Sequence, residues 1–162
     1  MLDLIVRGGT VVTASETFQA DIGVTDEKIS HIAEAGSLDS LIGEHTRVIE
    51  AGGKYVMPGL IEPHMHVKAP FSNTIDMLDF YTASKCAAFG GVTSFMDFST
   101  TTKDTPVLKA VEERLGEMAE GALDYSVHAK FITAGDDPDD LRNTVKTLVE
   151  KGVPTFKMFT IY

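Results

Sequence analysis

The sequence has one cysteine, Cys86, and no tryptophan. A single thiol cannot form an internal disulfide, so nothing here requires an oxidising compartment, and a cytoplasmic location is expected. Cys86 itself reads as a small buried residue on a helix. Basic blocks are also missing: 14 Lys and Arg stand against 24 Asp and Glu, a net charge of -10. That argues against a nucleic acid or an anionic membrane surface as partner, since either would require a Lys/Arg patch. No apolar run approaches the ~20 residues of a membrane span. The opening "MLDLIVRGGT" lacks a charged segment followed by a long apolar one, so no signal peptide is read. What is there is a globular composition, 43% hydrophobic and 23% charged over 162 residues, enough for a sizeable core.

The first fifty-odd residues read as β-structure. "LIVRGGTVV" places β-branched residues around a Gly-Gly break, and "ADIGVTDEKISHIAEAG" reads as two strands joined at Asp26-Glu27. "TRVIEAGGKYVMPG" adds another strand and ends in turn residues. A small antiparallel layer is expected, with His31 and His45 as solvated surface groups. After Pro58 the pattern changes to strand, helix, glycine, strand. "GLIEPHMHV", "VTSFMDF", "YSVHAKFIT" and "VPTFKMFTIY" are the strands. Helices are predicted over Ile75 to Phe89 (apolar positions Met77, Leu78, Tyr81 and Ala88), after Thr105-Pro106 (Val107, Leu108, Val111, Leu115 and Met118) and after Asp137-Pro138 (Leu141, Val145, Leu148 and Val149). Gly59, Gly91, Gly121 and Gly152 introduce the strands at intervals of 32, 30 and 31 residues. A steady βα repeat implies parallel strands with helical crossovers. An open doubly wound sheet and a (β/α)8 barrel both use it, and the absence of a Gly-rich phosphate loop weakens the dinucleotide-binding form of the first.

Two features carry chemistry. On a strand, residues i and i+2 point the same way, so Glu62, His64 and His66 are expected on one face, with two imidazoles near enough to share a cation. A His-x-His also arises by chance, but this one stands at the C-terminal end of the first strand of the series, where such folds place their sites. The second feature is Lys157, mid-strand among aromatic and thioether neighbours. Burying a bare ammonium is costly. It can pair with a carboxylate, Glu62 or Asp97; it can stay neutral as a base or Schiff-base former; it can react with carbon dioxide to a carbamate; or it can snorkel to water.

Taken together, "VMPGLIEPHMHVKAPF", "FGGVTSFMDF", "DYSVHAKF" and "FKMFTIY" resemble the amidohydrolase superfamily, and within it the dihydropyrimidinase/D-hydantoinase group of cyclic amidases. The resemblance implies an α/β fold: N-terminal β-sandwich strands over residues 1–56, then the first four βα units of a TIM-type (β/α)8 barrel, incomplete, over 57–162. It implies two divalent metal ions, zinc by preference. His64 and His66 bind the more buried one, Lys157 bridges the pair as a carbamate, and Tyr162 acts as the catalytic hydrogen-bond donor to the developing oxyanion. The reaction implied is metal-assisted hydrolysis of a dihydropyrimidine- or hydantoin-type ring to an N-carbamoyl amino acid. The family is homo-oligomeric, commonly tetrameric.

Against the family pattern, two further histidines and an aspartate from later strands have no counterpart, so the chain is expected to be an N-terminal part, inactive alone. Its open half-barrel would expose two strand edges. Glu62 replaces the usual Asp. Lys68 stands where allantoinase- and dihydroorotase-like relatives carry a substrate-gripping arginine, whereas Ala69 to Phe71 follow the hydantoinase pattern. Lys68 and Phe71 are therefore candidate substrate-binding residues, Lys68 for an anionic ring substituent unless it is a solvated loop lysine. The remaining alternatives are a non-catalytic relative that acts by assembly, like the collapsin response mediator proteins, and a bare half-barrel that dimerises.

Overall fold

In a computed structural model the described residues are 1–71, 74–102, 104–132 and 137–159, with Phe71 described in its backbone only. The chain divides into two compact units, Met1–Pro58 and Gly59–Tyr162. Among the described residues no helix is long and apolar enough to cross a membrane.

The first unit is one five-stranded sheet. Strands β1 (Leu4–Val12), β2 (Thr17–Thr25) and β3 (Lys28–Ala33) form an antiparallel meander, while β4 (Arg47–Glu50) and β5 (Tyr55–Val56) pair with β1 in parallel. The sheet is therefore mixed, not the antiparallel layer expected. "TRVIEAGGKYV" supplies two short strands because the turn through Ala51 to Lys54 interrupts it. The Gly-Gly break is a bulge inside β1, with Gly8 at a φ of 67° that a side chain would resist. Asp26 and Glu27 both have positive φ, 50° and 61°, as a two-residue hairpin between right-twisted strands requires. His31 and His45 are exposed, as expected.

The second unit contains a four-stranded parallel sheet in the order β11-β10-β9-β6, formed by β6 (Leu60–Glu62), β9 (Val92–Phe98), β10 (Asp124–Phe131) and β11 (Phe156–Met158). A small hairpin, β7 (Pro70–Phe71) with β8 (Thr74–Ile75), stands apart from it. Helices α1 (Phe80–Phe89), α2 (Val107–Met118) and α3 (Pro138–Glu150) connect successive strands of the main sheet. The described residues thus hold three complete βα units and a fourth strand.

Alternation sorts each strand into two faces. Phe95 and Asp97 of β9, and Val127, Ala129 and Phe131 of β10, turn to the helices and are buried with Phe80, Val111, Met118 and Leu148. A fully buried Phe or Leu contributes about 1.5–3 kcal/mol, so this one-sided core is the main stabilising element of the unit. Close packing also explains Gly59: a Cβ there would lie 2.1 Å from the Thr93 hydroxyl.

Three local expectations change. Helix α1 starts at Phe80, not Ile75, because the Asp79 carboxylate caps it by accepting from Thr82 N at 2.6 Å, and Ile75 is already paired in β8. Met77 and Leu78 precede the helix, so its buried face is Phe80, Ala83 and Ser84, while Tyr81 and Ala88 turn outward. Cys86 is exposed, not buried as expected. Pro106 itself occupies the cap position of α2, and the Thr105 hydroxyl meets that of Thr102 at 2.7 Å.

One charge pair lies inside the core. Arg114 of α2 and Asp97 of β9 are 2% and 0% exposed and meet at 2.9 Å. Arg114 also donates to the Val67 carbonyl and, at 2.7 Å, to Glu117, and its guanidinium lies 4.7 Å from the Phe80 ring centre. The second Asp97 oxygen accepts from Phe98 N, and the first also accepts from Val67 N at 3.0 Å. Removing one partner strands the other charge without water. Arg114→Met is expected to lower the unfolding free energy by about 3–5 kcal/mol, measured in urea by circular dichroism. The double variant Arg114→Met/Asp97→Asn should cost less than the single one; equal or additive losses would show that the pair does not act as a unit.

Candidate active and metal site

Parallel sheets with helical crossovers bind ligands beyond the C-terminal ends of their strands. Here those ends bring together His64, His66, Phe98, His128, Lys130 and Lys157. Strand β6 is only three residues long, and Pro63, which has no N–H, follows it. His64 and His66 therefore lie in the loop beyond the strand rather than on it, and the strand-face argument for Glu62 does not apply. The Glu62 carboxylate instead accepts from His64 N at 3.0 Å.

The loop is held at three points. Met65 N donates to Met96 O at 2.9 Å, and Val67 is tied at both its N–H and its carbonyl to the Asp97–Arg114 pair. The Pro63 carbonyl accepts from His128 Nε2 at 2.8 Å, which fixes the ring's proton on Nε2 and leaves Nδ1 to accept from the Thr155 hydroxyl, also at 2.8 Å. So held, the His64 and His66 rings stand edge to face with centroids 5.2 Å apart. Two imidazoles bound to one zinc at ordinary distances and a tetrahedral angle have centroids roughly 5 Å apart, so this pair fits a shared cation. Among the described residues no three His, Cys, Asp or Glu side chains gather into a ligand cluster; the next candidate donor is Lys157.

Phe98 organises the group. Its ring centre lies 4.6 Å from that of His64, 4.8 Å from His66 and 4.8 Å from His128, and the Lys157 ammonium sits over it at 5.2 Å. Lys157 is half-buried and also lies 5.4 Å from the Phe159 ring. Neither expected carboxylate partner is free, since Asp97 is committed to Arg114 and Glu62 to the loop; the ammonium rests on π faces instead. A cavity of about 550 Å³ opens here, lined by His66, Phe98, Lys130, Lys157 and Phe159.

Partial burial lowers the His66 pKa. The nearby charges of His64, Lys157 and Lys130 act in the same direction, and Asp97 opposes them. The neutral imidazole, the form that ligates a metal, is thereby favoured. Burial also lowers the Lys130 ammonium from its ordinary value, with Arg114 and Lys157 adding to it and Asp97 opposing.

The substrate candidates fare differently. The Lys68 ammonium is 3.7 Å from Glu120 and borders a separate cleft with Glu113 and Glu117, so it does not line the cavity of His66 and Lys157 as expected. The Phe71 side chain and all of Tyr162 lie outside the described residues. Sequence reasoning missed Phe98, Lys130, the Asp97–Arg114 pair and the role of His128 as a tether. Signals existed for two of these: Arg114 interrupts the apolar face of α2, and Lys130 stands between Ala129 and Phe131 much as Lys157 stands between Phe156 and Met158.

No family model matches the chain. Individual relatives do. It is 36% identical over 98% of its length to the D-hydantoinase of Geobacillus stearothermophilus, and 32% identical over 98% to the dihydropyrimidinase of Rattus norvegicus. The solved D-hydantoinase of a Bacillus sp. superimposes with a TM-score of 0.83 at 34% identity over 98% of the chain. The chain belongs to the D-hydantoinase/dihydropyrimidinase family. It spans 32%, 30% and 33% of those three relatives, about a third of each. The hydantoinase match takes in both units.

The lowered His66 pKa fixes a pH dependence. Between the folded-state value and the ordinary 6.5 the unfolded chain binds the proton and the folded chain does not, so stability rises with pH across that window and is lost as pH falls through the folded value. Because His66 stays partly open to water, the effect is small. In the metal-free chain, a proton NMR titration should place the His66 midpoint below 6.5; a midpoint at or above it would contradict the described packing.

Proposed function

We propose that His64, His66, Lys157 and Tyr162 belong to a metal centre that hydrolyses a cyclic amide of the hydantoin or dihydropyrimidine type, opening the ring to an N-carbamoyl amino acid. On this reading the parallel unit is the first four strands of a (β/α)8 barrel. The paired imidazoles at the strand ends, 5.2 Å apart beside Lys157, are the observation that supports it most directly, with the family kinship behind it.

His64 and His66 would hold the first of two divalent cations through neutral ring nitrogens, a donor set that suits zinc. Lys157 would contribute after its neutral amine attacks carbon dioxide: an N–C bond forms, one C=O electron pair moves to oxygen, a proton leaves to solvent, and the side chain becomes an anion with two oxygens. When bound, the metals would polarise the amide carbonyl and lower the pKa of the attacking water. The chain's other groups bind and orient. Phe98 walls the histidines and Lys157 on one side, and His128 and the Asp97–Arg114 pair hold the histidine loop at its two ends. Tyr162 would donate a hydrogen bond to the oxygen on which negative charge develops, where loss of such a donor costs about 3–4 kcal/mol of transition-state stabilisation.

Native mass spectrometry of the chain with zinc and bicarbonate tests the ligands. The expected spectrum carries zinc and a carbon-dioxide adduct. His64→Ala/His66→Ala should lose the zinc, and Lys157→Ala the adduct; an adduct that survives in Lys157→Ala would refute the assignment. Substrate class is read from a chimaera in which this chain replaces the matching third of the Geobacillus stearothermophilus D-hydantoinase. Zinc-dependent opening of hydantoin or dihydrouracil is expected, and Lys157→Ala should abolish it.

A further inference from the structure

The cavity contains a cation that this reading does not use. Lys130 pairs in register with Lys157 across β10 and β11, so the two side chains rise side by side from the same face of the sheet. Lys130 is half-buried and lines the cavity of about 550 Å³ together with His66 and Lys157. Its backbone N–H donates to Ser99 Oγ at 2.9 Å, which ties that stretch of β10 to the end of β9.

Neither acidic group on the cavity wall forms an ion pair with Lys130. Asp97 faces the helices and is saturated by Arg114, Val67 N and Phe98 N. Asp76, the other carboxylate on the cavity wall, accepts from Leu78 N at 3.3 Å. Among the described residues the Lys130 ammonium makes no ion pair. A half-buried ammonium without a counter-ion is unfavourable, and an anion arriving with a ligand relieves it. Lys68, the residue the sequence suggested for such an anion, is engaged with Glu120 outside this cavity.

We propose that Lys130 is the specificity-determining residue of the cavity, receiving a carboxylate substituent of the cyclic amide whose ring lies toward His66 and Lys157. The inference rests on the proposed function and names its substrate class: a ring amide bearing an acidic side chain. The nearest competing anion is the Lys157 carbamate itself. On the proposed reading two divalent cations already neutralise that group, which leaves the Lys130 charge for the substrate.

Binding, not turnover, tests this. The probes are hydantoin-5-acetate and hydantoin-5-acetamide, equal in size and differing in charge, added to the 162-residue chain with zinc and bicarbonate and followed by NMR shift changes of His66 and Lys130. The carboxylate is expected to bind about tenfold more tightly than the amide, the ordinary contribution of a charge-assisted hydrogen bond. Lys130→Met should abolish that preference while leaving the affinity for the amide and the carbon-dioxide adduct unchanged and the urea midpoint no lower. Lys130→Arg should retain it. If both rings bind and Lys130→Met keeps the tenfold ratio, the inference fails while the proposed function stands. Loss of the adduct in Lys130→Met with the ratio intact would assign the charge to the carbamate and likewise overturn it. If neither ring binds the unaltered chain, the inference fails, and the proposed function is still read from the chimaera.

Discussion

The histidine loop depends on the ion pair between Asp97 and Arg114. Strand β6 ends after three residues and Pro63 removes a ladder donor, so the sheet cannot hold His64 to Val67 by itself. Asp97 takes over by accepting from Val67 N, and Arg114 closes the other side by donating to the Val67 carbonyl. Each charge would be expensive alone at 2% or less exposure. Together they form a junction linking β9, α2 and the loop, although the Arg114 Nε remains buried without a partner among the described residues. Alternation along β9 then puts the two needs of the site on opposite faces at one strand end. Asp97 anchors from the helix side, and Phe98, next in sequence, supplies the platform on which His66 stacks at 24° between planes.

Much of this was legible in the sequence where a single local signal decided the outcome. The glycines before the strands and the apolar spacing of α2 and α3 marked the repeat, because backbone turns and helical periodicity are properties of neighbouring residues. Lys157 stood out because an ammonium between Phe156 and Met158 is locally inconsistent. The failures have a common cause. Whether Met77 belongs to a helix depended on which of several polar residues capped it, and Asp79 prevailed by reaching Thr82. Whether Lys68 or Lys130 faces the cavity depended on Glu120, dozens of residues away, and on the register that sets Lys130 beside Lys157. Arg114 was visible as a charge on an apolar face, but its partner could be named only once α2 was laid against β9.

Charge gives the site its remaining logic. The chain as a whole is acidic, with a net charge of -10, yet the described cavity wall presents His66, Lys130 and Lys157, and its buried carboxylate is already spent on Arg114. A divalent cation entering beside two ammonium groups would meet repulsion that a neutral imidazole pair does little to offset. On the proposed reading, carbamate formation turns Lys157 from a cation into an anion, a two-unit change at the point where the metals bind. Metal loading should then follow carbon dioxide, not precede it, and Lys130 would be the cation left once that charge has reversed. Its position one strand over lets it meet a substrate anion without competing for the ligands, so a single in-register pair of lysines would divide the two tasks: one modified to hold the metals, the other left charged to choose the ring.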